Sequence, residues 1–157
     1  MAARRSAGLL LYRGGGSGVE VLLAHMGGPL WARRDAGAWT VPKGEYLPPE
    51  EPRAAARREF EEELGVPPPD GPYVPLGETR QAGGKVVTVW AVEGDLAPER
   101  IVPGTFTMEW PRGSGTVRSF PEIDRVAWFS PDEAYARLVT GQRVFLERLA
   151  DRLTAGD

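Results

Sequence analysis

Glu59, Glu61, Glu62 and Glu63 fall within five consecutive positions of the chain. On a helix, at about 100° per residue, Glu62 lies about 60° to one side of Glu59 and Glu63 about 40° to the other, while Glu61 points roughly opposite. Ala56, Phe60 and Leu64 follow the i, i+4, i+8 row and form the adjoining apolar stripe. Three carboxylates on one face repel one another unless cations compensate. Hard oxygen ligands at this density suit Mg²⁺, Mn²⁺ or Ca²⁺. The plainer reading of such a helix is a solvated acidic face. The rest of the composition narrows the chemistry. With no cysteine, disulfides, thiolate catalysis and Cys-ligated zinc are excluded, and His25, the single histidine, cannot form a His-rich metal site.

The residues around the acids are as specific as the acids themselves. Gly44 is followed after five residues by Glu50, and after seven more by Arg58-Glu59-Phe60-Glu61-Glu62-Glu63-Leu64-Gly65-Val66. This resembles the Nudix box, G-x5-E-x7-R-E-U-x-E-E-x-G-U with U apolar, and departs from it at no specified position. The resemblance implies an α/β fold, the Nudix α/β/α sandwich with a mixed β-sheet between helices. It implies hydrolysis of a nucleoside diphosphate linked to a further group, with Mg²⁺ as cofactor and Mn²⁺ as an alternative. Glu59, Glu62 and Glu63 would be the metal ligands, with Glu59 or another acid orienting the attacking water. Arg58 would hold the glutamates by ion pairing, Gly44 would allow the tight loop over the helix, and Glu50 would support the loop-helix junction. Many Nudix proteins carry a further acid just before a late strand. Glu122 occupies that kind of position, with Asp124 as its rival and Glu109 third.

Charge compensation is the main requirement for moving a phosphoryl group past anionic oxygens. Lys43, beside the box loop, suits a phosphate by its compact charge, and Arg33 and Arg34 carry forked donors for distal phosphates. Trp31, Phe106 and Trp110 are candidates to stack a base, since an aromatic face accepts any nucleobase; packing is the competing role. Trp110 is favoured slightly, because it leads into a glycine-rich turn. His25 ends an apolar strand and is assigned no role. Tyr46 sits in the box loop, either near phosphate or covering the loop.

These residues need a scaffold. Ser6 to Arg13 and Val19 to Met26 read as strands flanking the glycine turn Gly14 to Gly18, and their continuous apolar runs suggest coverage on both faces. Pro52 to Leu64 reads as a helix, opened by Glu50-Glu51-Pro52 and closed at Gly65. Tyr73 to Gln81, Lys85 to Val92 and Arg125 to Phe129 read as strands. Phe106 to Trp110 and Thr116 to Phe120 form a hairpin. Ser130 caps a helix over Asp132 to Val139 with Glu133 in the capping-box position, and Arg143 to Leu153 is a closing helix. Strands, helix, strands, helices is not a regular β-α-β alternation, so a mixed sheet with helices on both faces is expected.

The chain has 157 residues and a net charge of −3, which fits one domain, residues 1–157. The acidic balance gives no whole-chain attraction to nucleic acid or an anionic membrane. Arg4-Arg5 and the apolar stretch after it lack the cleavage site of an export signal, and no run is long enough for a membrane span, so the expected location is cytoplasmic. The expected partner is a small nucleotide, a nucleoside triphosphate or dinucleoside polyphosphate, rather than an RNA 5′ end. A Nudix-fold nucleotide-binding or sensor module is the alternative; the complete set of box glutamates favours an enzyme.

Overall fold

Two leucine- and valine-rich strands form the centre of the fold. β1 (Arg5–Arg13) and β2 (Glu20–Met26) pair antiparallel, with Tyr12 opposite Val21 and Arg13 opposite Glu20. The computed structural model describes residues 4–14 and 18–155, so most of the expected glycine turn, residues 15–17, lies outside the described residues. There follow β3 (Trp39–Thr40), β4 (Lys43–Glu45), α1 (Pro52–Leu64), β5 (Tyr73–Arg80), β6 (Val86–Glu93), β7 (Thr105–Glu109), β8 (Val117–Pro121), β9 (Ile123–Phe129), α2 (Pro131–Arg137) and α3 (Val144–Ala155).

The main sheet is mixed. Its order is β3-β2-β1-β6-β5, with β4 added beside β1 and β9 beside β2. Only β1 and β6 run parallel; the other pairs are antiparallel. The apolar runs are covered on both faces, as their composition requires. Leu9 and Leu11 of β1, with Leu22 and Ala24 of β2, pack against Ala55, Ala56, Phe60 and Leu64 of α1. Leu10, Val21 and Leu23 face the other way, towards Ala134 of α2 and Phe145, Leu146 and Leu149 of α3. A one-residue slip would exchange the two sets. Each fully buried leucine contributes about 2 kcal/mol of transfer free energy.

α1 ends as its sequence predicts. Gly65 adopts φ 72°, a left-handed cap, and its N–H donates to the Glu61 carbonyl at 2.7 Å. α1 also starts where expected, at Pro52, with Glu51 as the N-cap residue; Glu51 makes no side-chain cap bond, and Pro52 supplies the fixed first turn. α2 has the expected capping box between Ser130 and Glu133 but ends earlier, at Arg137. Leu138 there leaves the helix to bridge Trp39, and the Val139 N–H donates to the Trp39 carbonyl at 2.9 Å. This tertiary bond competes with, and replaces, the last helical turn. β9 starts at Ile123 rather than Arg125, because Ile123 pairs with Met26 across a bulge that leaves Asp124 of β9 as the extra residue.

β7 and β8 form a separate two-stranded sheet with Phe106 opposite Phe120. The base of this hairpin is stitched to itself, the Glu122 N–H donating to the Gly104 carbonyl at 2.8 Å. Among the described residues no helix is long and apolar enough to cross a membrane.

Candidate active site

Glu63, Glu122 and Lys43 meet at a cavity of about 460 Å³ that also presents Trp31 and Phe106. That volume is within the range of small-molecule sites, about 300–1,000 Å³. α1 supplies Glu63 from the edge of its buried stripe. The segment between β8 and β9 supplies Glu122, whose carbonyl accepts from the Gly27 N–H at 3.0 Å. A Cβ on Gly27 would stand 2.0 Å from the Pro121 carbonyl oxygen, so only glycine permits this approach. β4 supplies Lys43, which pairs with Gly8 of β1. A Cβ on Gly8 would meet the Lys43 Cβ at 2.8 Å, so the bare backbone makes room for the lysine.

The electrostatics are those of an under-compensated acidic site. The Glu63 carboxyl is pushed up to about 8, first by burial and then by the facing charge of Glu122. Burial also raises Glu59 above the ordinary carboxylate range, against the opposing pull of Arg58. Burial lowers Lys43, with Glu63 acting to keep it charged.

Arg58 organises the other box residues. Its Nε and Nη2 donate to the two carboxylate oxygens of Glu50, each at 2.8 Å, and its Nη1 donates to Glu59 at 2.8 Å and Glu62 at 3.2 Å. Gly44 sits where the Glu59 carboxylate passes: a Cβ there would lie 1.9 Å from Oε2. Its smallness is needed for this close approach, since Gly44 is not among the positive-φ glycines.

The three box glutamates do not converge on one point. Glu59 and Glu62 turn to Arg58, while Glu63 turns into the cavity with Glu122. Among the described residues no three acidic or histidine side chains stand together as a metal-holding group. The donor chemistry nevertheless fits a hard divalent cation, because a buried carboxyl facing a second carboxylate is the environment such an ion neutralises.

The late acids separate clearly. Asp124 is occupied: both of its oxygens lie 3.0 Å from Nδ1 of His25, and it also accepts from Arg125 at 3.0 Å. His25 is fully buried, and its Nε2 faces the Arg34 carbonyl at 2.6 Å, so both ring nitrogens meet acceptors and the histidine fastens the 27–38 loop to β9. Glu109 accepts from the Gly113 and Gly115 N–H groups and ties the hairpin turn. Only Glu122 of the three lines the cavity.

Other expected contributors lie elsewhere. Trp110 directly follows β7 and does not line the cavity; Phe106, within that strand, does. The Phe106 ring rests on Gly28, where φ is +89° and a Cβ would meet it at 2.9 Å. Arg33 is exposed and also outside the cavity lining. The Arg34 guanidinium lies 5.6 Å from the centre of the Trp31 ring. Tyr46 packs against the core on the α1 side of the sheet, covering the loop.

Sequence reasoning missed Lys85, Thr40, Gln81 and Gln142, all of which line the cavity. One signal was available for Lys85. Lys43 and Lys85 are the only lysines in a chain whose other cationic side chains are arginines, and both reach this cavity.

Comparison with known proteins agrees with this architecture. The model of the NUDIX domain matches residues 2–149. An RNA pyrophosphohydrolase of Coxiella burnetii (strain RSA 493 / Nine Mile phase I) is 44% identical over 63 residues, 39% of this chain and 27% of that protein. The match thus spans about a quarter of that relative's length. A C. elegans Ap4A hydrolase binary complex superposes with a TM-score of 0.64 at 20% identity, covering 98% of this chain and 99% of that one. The NUDIX domain of Shewanella oneidensis NrtR complexed with ADP ribose gives 0.63 at 15% identity, covering 98% and 90%. These two likenesses show the fold. The family match spans nearly the whole chain, and the chain belongs to the NUDIX domain family.

Proposed function

We propose that this chain, acting as a single domain over residues 1–157, is a metal-dependent pyrophosphohydrolase of small nucleotides. It would cleave a diphosphate linkage in a nucleoside triphosphate or dinucleoside polyphosphate. The observation that carries the reading is the meeting of Glu63 and Glu122 with Lys43, Lys85, Trp31 and Phe106 in one cavity. Acids for a cation, lysines for phosphate and aromatic faces for a base are the three things such a substrate needs.

Glu63, joined by Glu59 and Glu62 when these leave Arg58, would hold Mg²⁺ or Mn²⁺. Bound there, the ion would supply charge neutralisation for the phosphates and a lowered pKa for the attacking water. Glu122 would accept the proton of that water as its oxygen bonds to phosphorus and the bridging P–O bond breaks. Lys43 and Lys85 would balance the charge gathering on the departing phosphate. Arg58 would hold the glutamates that are not facing the cavity.

The net charge of −3 supports a free nucleotide over an RNA 5′ end, because phosphate-backbone binding depends on a basic surface. Incubation with dinucleoside polyphosphates, nucleoside triphosphates, nucleoside diphosphate sugars and 5′-triphosphorylated RNA, with Mg²⁺, with Mn²⁺ and with chelator, tests the reading. Metal-dependent release of phosphate or pyrophosphate from a small nucleotide is the expected result. Binding without turnover on every substrate would leave a sensor module instead.

A further inference from the structure

Gln142 is fully buried, and its amide has only one workable orientation. The Val41 backbone N–H points at the Gln142 Oε1 from 2.8 Å. Because that group can only donate, the oxygen must face it, and a flipped amide would set donor against donor. Gln142 Nε2 then donates to the Thr40 hydroxyl at 2.9 Å and to Gln81 Oε1 at 3.3 Å. The orientation of one buried amide thereby sets the next. Gln81 Oε1 is occupied, and its NH₂ group, for which no protein acceptor is found among the described residues, belongs to a side chain lining the cavity. Gly141 backs this arrangement. A Cβ there would meet Gln81 Cγ at 3.0 Å and Cα at 3.2 Å.

A free glutamine reads adenine bidentately, its oxygen accepting from the exocyclic amine and its nitrogen donating to the ring. The Gln142 N–H takes one of the two lone pairs of that oxygen and turns it toward Gln142, so the NH₂ is the part of the amide left without a protein partner and the bidentate adenine mode is disfavoured. Two N–H donors remain, complementary to a base edge that offers only acceptors, such as the carbonyl and ring nitrogen of a 6-oxopurine. Trp31 and Phe106 in the same cavity supply faces for the ring itself.

We propose that Gln81, held by Gln142, is a specificity-determining residue that selects a keto base, guanine or hypoxanthine, over adenine. The proposal rests on the reading of the cavity as a nucleotide site. A site whose donors are left unpaired by the wrong base discriminates against it.

The test measures binding and turnover separately. Calorimetric titration with the α,β:β,γ-bismethylene analogues of GTP, ITP and ATP in the presence of Mg²⁺ reports affinity without hydrolysis at either linkage, and kcat/KM is measured on the parent triphosphates. The wild-type protein should favour the guanine and hypoxanthine analogues over the adenine analogue by about tenfold. Gln81→Glu replaces the donor by an acceptor and should reverse that ratio. Gly141→Ala displaces Gln81 without touching its chemistry and should bring the ratio towards one. Thermal melts establish that each variant is folded. An equal loss of all three analogues in Gln81→Glu would place the amide against phosphate and overturn the proposal. So would an unchanged ratio in both variants, or a wild-type preference for adenine. Binding of none of the analogues would overturn the nucleotide reading together with the proposal.

Discussion

The carboxylate of Glu59 passes so close to the Cα of Gly44 that a methyl group on Gly44 would lie 1.9 Å from Oε2 and 2.1 Å from Cδ. The first and the central residues of the box are therefore in direct steric contact, although 15 positions separate them in the sequence. Gly44→Ala should displace Glu59 and break its bond to Arg58. The expected result is a fall in metal-dependent kcat of about 100-fold, with a stability loss of about 1–3 kcal/mol from overpacking. Steady-state kinetics and denaturant unfolding on the same preparation check both. A variant with kcat within twofold of wild type would show that Glu59 does not need this position.

Glu63 links stability to pH in the metal-free protein. Its carboxyl is raised from 4.5 to about 8 in the fold, chiefly by burial and secondly by Glu122. An acid whose folded pKa is raised contributes stability that is complete below the unfolded value and lost as pH rises through the folded one. In chelator, unfolding free energy should therefore fall between pH 4.5 and about 8, by at most about 1.4 kcal/mol per pH unit from this group. Glu63→Gln should flatten that slope and abolish the stabilisation conferred by added Mg²⁺. Urea unfolding at pH 5, 6.5 and 8, with and without Mg²⁺, is the measurement. A slope identical in wild type and variant would remove Glu63 as its source.

The three late acids should separate by kind of effect. Glu122→Gln should lower kcat by about 100-fold or more, the usual scale for losing a general base. Asp124→Asn should act mainly on thermal stability, since Asp124 pairs with His25 and Arg125. Glu109→Gln should loosen the hairpin turn with little kinetic effect. A kcat collapse in Asp124→Asn with Glu122→Gln near normal would reassign the role.

In the proposed site, base stacking would fall to Trp31 and Phe106, the aromatics that line the cavity. Trp31→Ala and Phe106→Ala should raise KM with a smaller change in kcat, because stacking holds substrate and transition state about equally. The expected loss is about 1–3 kcal/mol for each ring that contacts the base. Trp110→Ala should leave KM near wild type. The reverse pattern would restore Trp110 and move the base away from Gly28.

The scaffold was legible where local chemistry and period agree. The α1 stripe, its Gly65 cap, the Ser130 capping box and the doubly covered β1 and β2 are all set by residues close in sequence. Misreadings arose where a distant partner decides. α2 loses its last turn to Trp39, which lies 100 positions before Val139 in the sequence.

The site divides in the same way. Spacing pointed to the box acids and the family resemblance to Arg58 as their ion-pair partner, but neither to the division in which Glu59 and Glu62 turn to Arg58 while Glu63 turns into the cavity. Phe106 in β7 and Trp110 just after it lie close together in sequence before a glycine turn and are alike in type. The contact with Gly28, remote in sequence, separates them. Gln142 had no signal at all, since a buried amide is recognisable only once its partners Val41, Thr40 and Gln81 are in place.

The stitch between the Glu122 N–H and the Gly104 carbonyl closes the β7–β8 hairpin at its root. Everything from residue 105 to residue 121 leaves the body and returns to it at one point. Glu122 is anchored there by the stitch and by Gly27, independently of what the hairpin carries beyond it. The hairpin therefore behaves as a cassette: a change in its length or turn need not move the acid at its root, which two backbone bonds from outside the hairpin hold in register. Of the residues lining the cavity, the hairpin carries Phe106 and its root carries Glu122, while Trp31, Gln81, Lys43 and Lys85 come from the body.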